Sequence, residues 1–267
     1  MSYKVYLHGS LDAAGWSQAV WKFCEGRTVA VDDCEQELLH RVLLDELPKD
    51  GLIVDAGCGT ARLPIYFRRR GYRFIGIDMA HDACVIGKEA EPGVPVVQAD
   101  VRQIPLRSGS VDAIVSLGVV EHDEAGPLAA LREARRVLKP HGLLVLAVPY
   151  NNLFRRLLVN RLHDYVTRRR RREGKELHFA EYRFSKPEIR DLLRRTGFQV
   201  MAEYPNDARP PRTVGLWVDY HNLIEHDLNA SIELFRLPGR VGHVASRLLR
   251  WCPWLVCAEV GFLARAT

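Results

Sequence analysis

The chain has 267 residues, 47% of them hydrophobic, and a formal net charge of +5. That length suits one large domain, the apolar content supports a packed core, and disorder is excluded as the general state. No uncharged apolar run reaches the 18 residues of a membrane span, and "MSYKVYLHGSLDAAGW" lacks the apolar centre of a signal peptide. The six cysteines (24, 34, 58, 84, 252 and 257) show no spacing of a zinc site or a disulfide scaffold, so a reduced, cytoplasmic chain is expected.

Residues 1–50 read as a helical lead-in, with Leu38, Val42, Leu43 and Leu47 on one face before Pro48. Strands are then predicted at 52–56, 73–77, 94–98, 112–117 and 143–148, with helices between them, the clearest over 127–138. This alternation predicts a parallel sheet covered on both faces, with 51–150 as its binding core. From 151 the character changes. The basic segment 151–176 precedes a helix at 187–196, a strand at 198–204, and some 50 residues rich in Pro, Trp and Asn. The final strand is expected at 256–266, making 151–267 a run of insertions and last strands of the same domain.

"VDAGCGTA", residues 54–61, places Gly57 and Gly59 where the first core strand turns into a helix. In an open α/β sheet that turn faces a nucleotide-like ligand. Three acids end successive strands: Asp55, Asp78 and Asp100. An acid 21 residues after Gly57 stands where a ribose diol is bound, in NAD enzymes as elsewhere. Two features disfavour a dinucleotide. Arg62 occupies the place of a third glycine, and the Asp55 carboxylate would repel a pyrophosphate. A ligand carrying a sulfonium and an ammonium suits such acids. Cys58 between the glycines reads as a small buried residue.

Over residues 50–150 and the final strands, the sequence resembles the class I S-adenosylmethionine-dependent methyltransferases. The resemblance rests on "VDAGCGTA", "GIDMA", "QADVRQIPLRSGSVDAIVSLGVVEH" and "LREARRVLKPHGLLVLAVP". It implies a Rossmann-like, doubly wound, seven-stranded sheet of order 3-2-1-4-5-7-6, strand seven antiparallel, with helical lid insertions. It implies S-adenosyl-L-methionine as cofactor and S-adenosyl-L-homocysteine as product. The implied cofactor contacts are Asp55, Ala56, Gly57, Cys58, Gly59, Asp78, Met79, Asp100, Val101, Leu117 and Gly118. Among them, Asp100 and the Val101 amide would serve the adenine, and the Gly57 and Leu117 carbonyls the ammonium. Two other readings stay open: a non-catalytic module that binds the same cofactor, and an NAD-dependent oxidoreductase.

Methyl transfer needs positioning, exclusion of water, and a base where the acceptor is a hydroxyl. Glu121 and His122, just past the fourth core strand, and Tyr150, just past the fifth, are the catalytic candidates. No metal is expected, because Gly118 occupies the position where some quinone-directed relatives carry a third acid. "SLGVVEH" resembles the small-molecule and lipid-quinone branches, which points towards O-methylation of a small-molecule, glycan or lipid-linked acceptor. No Asn-Pro-Pro-Tyr or Asp-Pro-Pro-Tyr follows the fourth strand, against adenine-N6 and glutamine-N5 methylation.

Residues 154–175 hold nine Arg or Lys against two acids, with Phe154, Leu158, Leu162 and Tyr165/Val166 at helical spacing. That is a basic amphipathic helix, fitted to close over a site or to lie peripherally on an anionic membrane. Its apolar stripe is expected to bury. Without exposed aromatics or an added binding module, nucleic acid is not the expected partner. Trp217, Trp251 and Trp254 are candidates for apolar walls of an acceptor pocket.

Overall fold

A computed structural model describes residues 2–8, 31–224, 235–237 and 239–267. The chain runs β1 (Tyr3–His8), α1 (His40–Glu46), β2 (Leu52–Ala56), α2 (Arg62–Arg68), β3 (Arg73–Asp78), α3 (His81–Ala90), β4 (Val96–Gln98) and β5 (Val111–Leu117). There follow α4 (Leu128–Val137), β6 (Leu138–Pro149), a π-helical turn (Arg155–Val159), α5 (Asn160–Arg172), β7 (Leu177–Arg183) and α6 (Lys186–Arg195). The last elements are β8 (Phe198–Asn206), α7 (Val214–Ile224), α8 (Gly239–Trp251), α9 (Pro253–Val256) and β9 (Glu259–Ala266).

Seven strands form one sheet in the order β4-β3-β2-β5-β6-β9-β8. Core strands β2, β3, β4, β5 and β6 pair in parallel, and β9 runs antiparallel to β6 and β8. This is the order 3-2-1-4-5-7-6 expected from the sequence. Each inner strand is apolar on both faces, as burial under two helical layers requires. Val54, Ile114, Leu146 and Phe262 pack on one side, and Ile53, Ala113, Val115 and Leu263 on the other. Helix α6 starts where the Ser185 N–H donates to the Glu188 carboxylate at 2.9 Å, a reciprocal N-terminal cap.

Three parts of the chain depart from the sequence reading. Residues 3–8 are a strand, not part of a helical lead-in, and pair antiparallel with β7, itself unanticipated. The 1–50 segment otherwise contributes a short 3-10 turn at Val31–Gln36 and α1, whose buried line is Leu39, Leu43 and Leu47 rather than one through Leu38 and Val42. Cys24 lies outside the described residues. The third departure is α5. Its inward face carries His163, Thr167 and Arg170, while Leu158, Leu162 and Tyr165 are exposed. The π-turn is the cause: one residue is inserted per turn, so the stripe read at 3.6-residue spacing is rotated away from the core. The final strand starts at 259, because Pro253–Val256 is a helical turn.

Candidate functional site

The turn after β2 is built by backbone geometry. Gly57 has φ +88°, and its N–H and that of Cys58 donate to the Ile77 carbonyl at 2.7 and 3.0 Å. A Cβ on Gly57 would meet Val119 Cγ2 at 2.2 Å, so glycine is required by both conformation and space. The backbone thus passes flush against the exit of β5. At the end of β3, Asp78 accepts the Gly59 N–H at 2.7 Å through Oδ2 and the Ala80 N–H at 2.8 Å through Oδ1. Those bonds set its carboxylate at the rim of the turn, beside exposed Met79. Ala56 and Cys58 are buried beneath.

Asp55 is buried at 3% exposure, and lost hydration, then the nearby Asp78 charge, push its carboxyl up to about 8. Asp100 is engaged differently. Arg102 grips it through Nε and Nη2, at 2.7 to 3.0 Å, and reaches Asp123 with Nη1 at 3.1 Å. The guanidinium holds the Asp100 carboxyl below its ordinary value. Val101 is half-buried beside it. Asp55, Asp78 and Asp100 therefore share one edge of the sheet in three settings: buried and raised, backbone-bonded, and paired to arginine.

Beyond the carboxyl ends of β2 and β5 lies a cavity of roughly 250 Å³ lined by Glu37, Arg62, Leu117, Asn206, Asp207 and Glu259, among others. Arg62 bonds Glu37 across it. Asp207 is a framing residue: its carboxylate accepts the N–H groups of Ala208, Val214 and Ala258 at 2.6 to 2.9 Å, tying the end of β8 to the start of β9. Burial nonetheless raises it to about 6. Of the cofactor candidates only Leu117 lines this cavity. A larger hollow, roughly 420 Å³, lies between Leu38, Tyr204, Pro210 and Leu249, and no candidate residue lines it.

Two carboxyls converge on Gly118, whose φ is +67°. A Cβ there would lie 3.3 Å from Glu259 Oε1 and 3.6 Å from Glu121 Oε1. Glu259 also accepts from Asn206 Nδ2 at 2.7 Å, and burial, followed by Glu121, pushes it up to about 8. Glu121 is 1% exposed, its Oε2 has no hydrogen-bond partner, and burial raises its carboxyl well above the ordinary range. His122 Nδ1 lies 2.7 Å from the Ala180 carbonyl. A carbonyl only accepts, so Nδ1 donates, and Nε2 lies on the other side of the ring, 3.8 Å from Glu121 Oε1. Strand β7 thus sits over the β5 exit. Tyr150 is elsewhere: its ring packs edge-on to Trp254 at 5.9 Å, and its N–H donates to the Ala258 carbonyl.

Sequence reasoning brought Glu121 and His122 together but missed Glu37, Arg102, Asp207 and Glu259. Glu37, Asp207 and Glu259 each meet partners from remote segments, and Arg102, though two residues from Asp100, also reaches Asp123, so no local spacing announces them. Trp217 packs against Phe235 and Trp254 against Tyr150, whereas Trp251 is 85% exposed and walls no pocket. Among the described residues no group of three or more His, Cys, Asp or Glu is arranged to hold a metal ion, and no helix is long and apolar enough to cross a membrane.

Residues 54–146 match a family model described as a methyltransferase domain. The chain is 30% identical over 151 residues to the Arabidopsis thaliana tRNA (carboxymethyluridine(34)-5-O)-methyltransferase, covering 54% of this chain and 33% of that protein. It is 31% identical over 93 residues to the Serratia marcescens malonyl-[acyl-carrier protein] O-methyltransferase, covering 35% and 36%. It spans about a third of the length of these curated relatives. The solved Burkholderia thailandensis 1,6-didemethyltoxoflavin-N1-methyltransferase, with bound S-adenosylhomocysteine, has a similar fold: TM-score 0.56 at 16% identity, over 100% of this chain and 96% of that one.

Proposed function

We propose a function from one premise: the chain belongs to the class I S-adenosylmethionine-dependent methyltransferase family. It transfers the methyl group of S-adenosylmethionine to an oxygen of its acceptor. The observation that carries this reading is the Asp78 carboxylate, held by the Gly59 and Ala80 amides at the rim of the glycine turn. There it has lone pairs left for a ribose diol. Burial raises Asp55 behind it to about 8, so a cation seated there would draw out its charge and a pyrophosphate would oppose it, which favours a sulfonium ligand.

Bound S-adenosylmethionine would supply an electrophilic methyl on a sulfonium. The residues of this chain bind and orient. Gly57, Cys58 and Gly59 would let the backbone approach it, and Met79, Asp100 and Val101 would hold its adenosine end. The cavity beside Leu117 presents both a guanidinium, Arg62, and carboxylates, Glu37 and Glu259. That donor set fits a zwitterionic amino-acid end. Where the acceptor must lose a proton, Nε2 of His122 takes it, and the Ala180 carbonyl on Nδ1 holds the ring in place. Two relatives whose printed names specify O-methylation support an oxygen acceptor. The acceptor itself is a small molecule, a glycan or a lipid-linked compound.

Titration calorimetry tests the cofactor. S-adenosylmethionine should bind at about micromolar strength, the usual range for such substrates, and NAD(H) should not bind. Asp78→Ala should weaken the former by about 1.5–3 kcal/mol, the worth of hydrogen bonds to a charged group. Tight NAD(H) binding, or an Asp78→Ala variant that folds and binds normally, would overturn the reading.

A further inference from the structure

Helix α5 is docked with its polar side inward. Arg155, in the π-turn before it, is 3% exposed and donates to Asp219 at 2.8 Å and to the carbonyls of Tyr150 and Ala258 at 2.9 and 2.7 Å. Asn160 donates to Asn151 Oδ1 at 2.9 Å. His163 meets the Tyr3 hydroxyl at 3.0 Å and the Tyr6 carbonyl at 3.1 Å. These bonds fix the rotation of the helix: turning it to bury its leucines would break every one of them, leaving buried polar groups unpaired.

The outward side is therefore apolar by construction. Leu153 is 50% exposed, Leu157 57%, Leu158 47%, Leu162 42% and Tyr165 68%. Helix α8 repeats the pattern, with Val241 at 52%, Val244 at 58% and Trp251 at 85%. Phe154 and Leu248 pack against one cluster with Leu249 and Val256, so both segments rest on the same apolar base. Arginine surrounds both. Arg156, Arg161, Arg168, Arg171 and Arg172 are exposed on the first segment, and Arg240, Arg247 and Arg250 on α8, which contains no acid. A soluble helix carrying leucine and arginine together on its solvent side has no partner in water for the leucines.

We propose that this face, formed by the outward sides of residues 153–172 and of α8, docks on an anionic lipid surface. Leucine, valine and tryptophan enter the acyl boundary, and the arginines meet lipid phosphates. Charge decides between occupants. A second copy would bring one arginine field against an identical one. An RNA backbone would pair with the arginines and leave the leucines in water. A lipid surface of negative charge satisfies both sets of side chains.

Co-sedimentation of the full chain with phosphatidylcholine vesicles, with and without phosphatidylglycerol, tests this. Binding is expected to the anionic vesicles, to fall steeply with added salt, and to be accompanied by a blue shift of tryptophan emission that Trp251→Phe reduces. Leu158→Glu combined with Leu162→Glu should lower partitioning about tenfold or more, as should Arg168→Glu combined with Arg172→Glu. All four side chains face solvent, so an unchanged thermal melt certifies folding. Failure of the wild-type chain to bind anionic vesicles overturns the proposal. So does binding that the leucine pair of substitutions leaves intact. Tighter binding to tRNA than to vesicles, insensitive to the leucine substitutions, would assign the face to nucleic acid instead. A concentration-dependent dimer that those substitutions abolish, without vesicle binding, would assign it to a second copy.

Discussion

Asp55 lies nearly out of reach of water at the end of a central strand, and its ionisation is opposed by burial first and by Asp78 second. Its folded-state value near 8 stands above the ordinary 3.8, so the folded chain holds a proton that the unfolded chain releases. The stability this gives is fully present below the ordinary value and is lost as pH rises through about 8. Asp55→Asn should remove that dependence. Thermal melts of variant and wild type should run close together at acid pH and diverge in the variant's favour through about pH 8. The gap should reach several degrees, at about 2–4 °C per kcal/mol for a chain of this size. Parallel curves would show that Asp55 stays ionised. A cation seated beside it would favour the carboxylate, so S-adenosylmethionine affinity should itself rise over the same window. The acids at 55, 78 and 100 are legible in sequence because strand ends recur at a readable interval. Arg102, which occupies Asp100, is two residues away, yet its choice of partner is a rotamer decided in three dimensions.

At the scale of elements, the insertions are held by a buried charge cluster as well as by apolar packing. Asp219 of α7 lies between Arg155 of the π-turn and Arg183 of β7, at 2.8 and 2.9 Å, all three under 4% exposed. Removing the acid leaves two buried guanidiniums facing one another. Asp219→Ala should therefore destabilise the chain by about 3–5 kcal/mol, read as a lower urea midpoint. Asp219→Asn, which keeps an acceptor but not the charge, should fall between. A loss under about 1 kcal/mol would mean that water already reaches the cluster. The same elements explain why helical periodicity located α5 yet assigned its faces wrongly. Spacing reports an amphipathic helix but says nothing of a π-turn upstream, and inward-facing arginine is acceptable only where an Asp219 waits for it. Strand β1 was missed for a related reason: "YKVYLH" alternates, but its partner β7 is 174 residues further along, from Tyr3 to Leu177.

For the whole molecule, the contrast is between a sheet buried on both faces and a two-stranded ribbon joined to it at its rim. Amides in β2, β5, β6 and β9 should exchange with solvent only through global unfolding. Those pairing β1 with β7 should exchange at least about a hundredfold faster, since a hairpin-sized ribbon opens locally. Hydrogen exchange followed by mass spectrometry reads both classes at once. Equal protection would mean that the ribbon and the sheet unfold as one unit.

The amino-acid sequence by itself determined the strand–helix alternation, the sheet order through family resemblance, the glycine turn, and the acids at strand ends. All of these are written in local patterns: runs of apolar residues, a φ that only glycine accepts readily, a carboxylate at a repeating interval. Tertiary structure alone decided which charges meet and which face of α5 sees water. The convergence of Glu121 and Glu259 on Gly118, 138 residues apart in the chain, is a consequence of β9 entering the sheet antiparallel beside β6. Burial, which sets both the ionisation of Asp55 and the exposure of Leu158, is a property of the packed molecule, because only packing fixes how much water each group keeps.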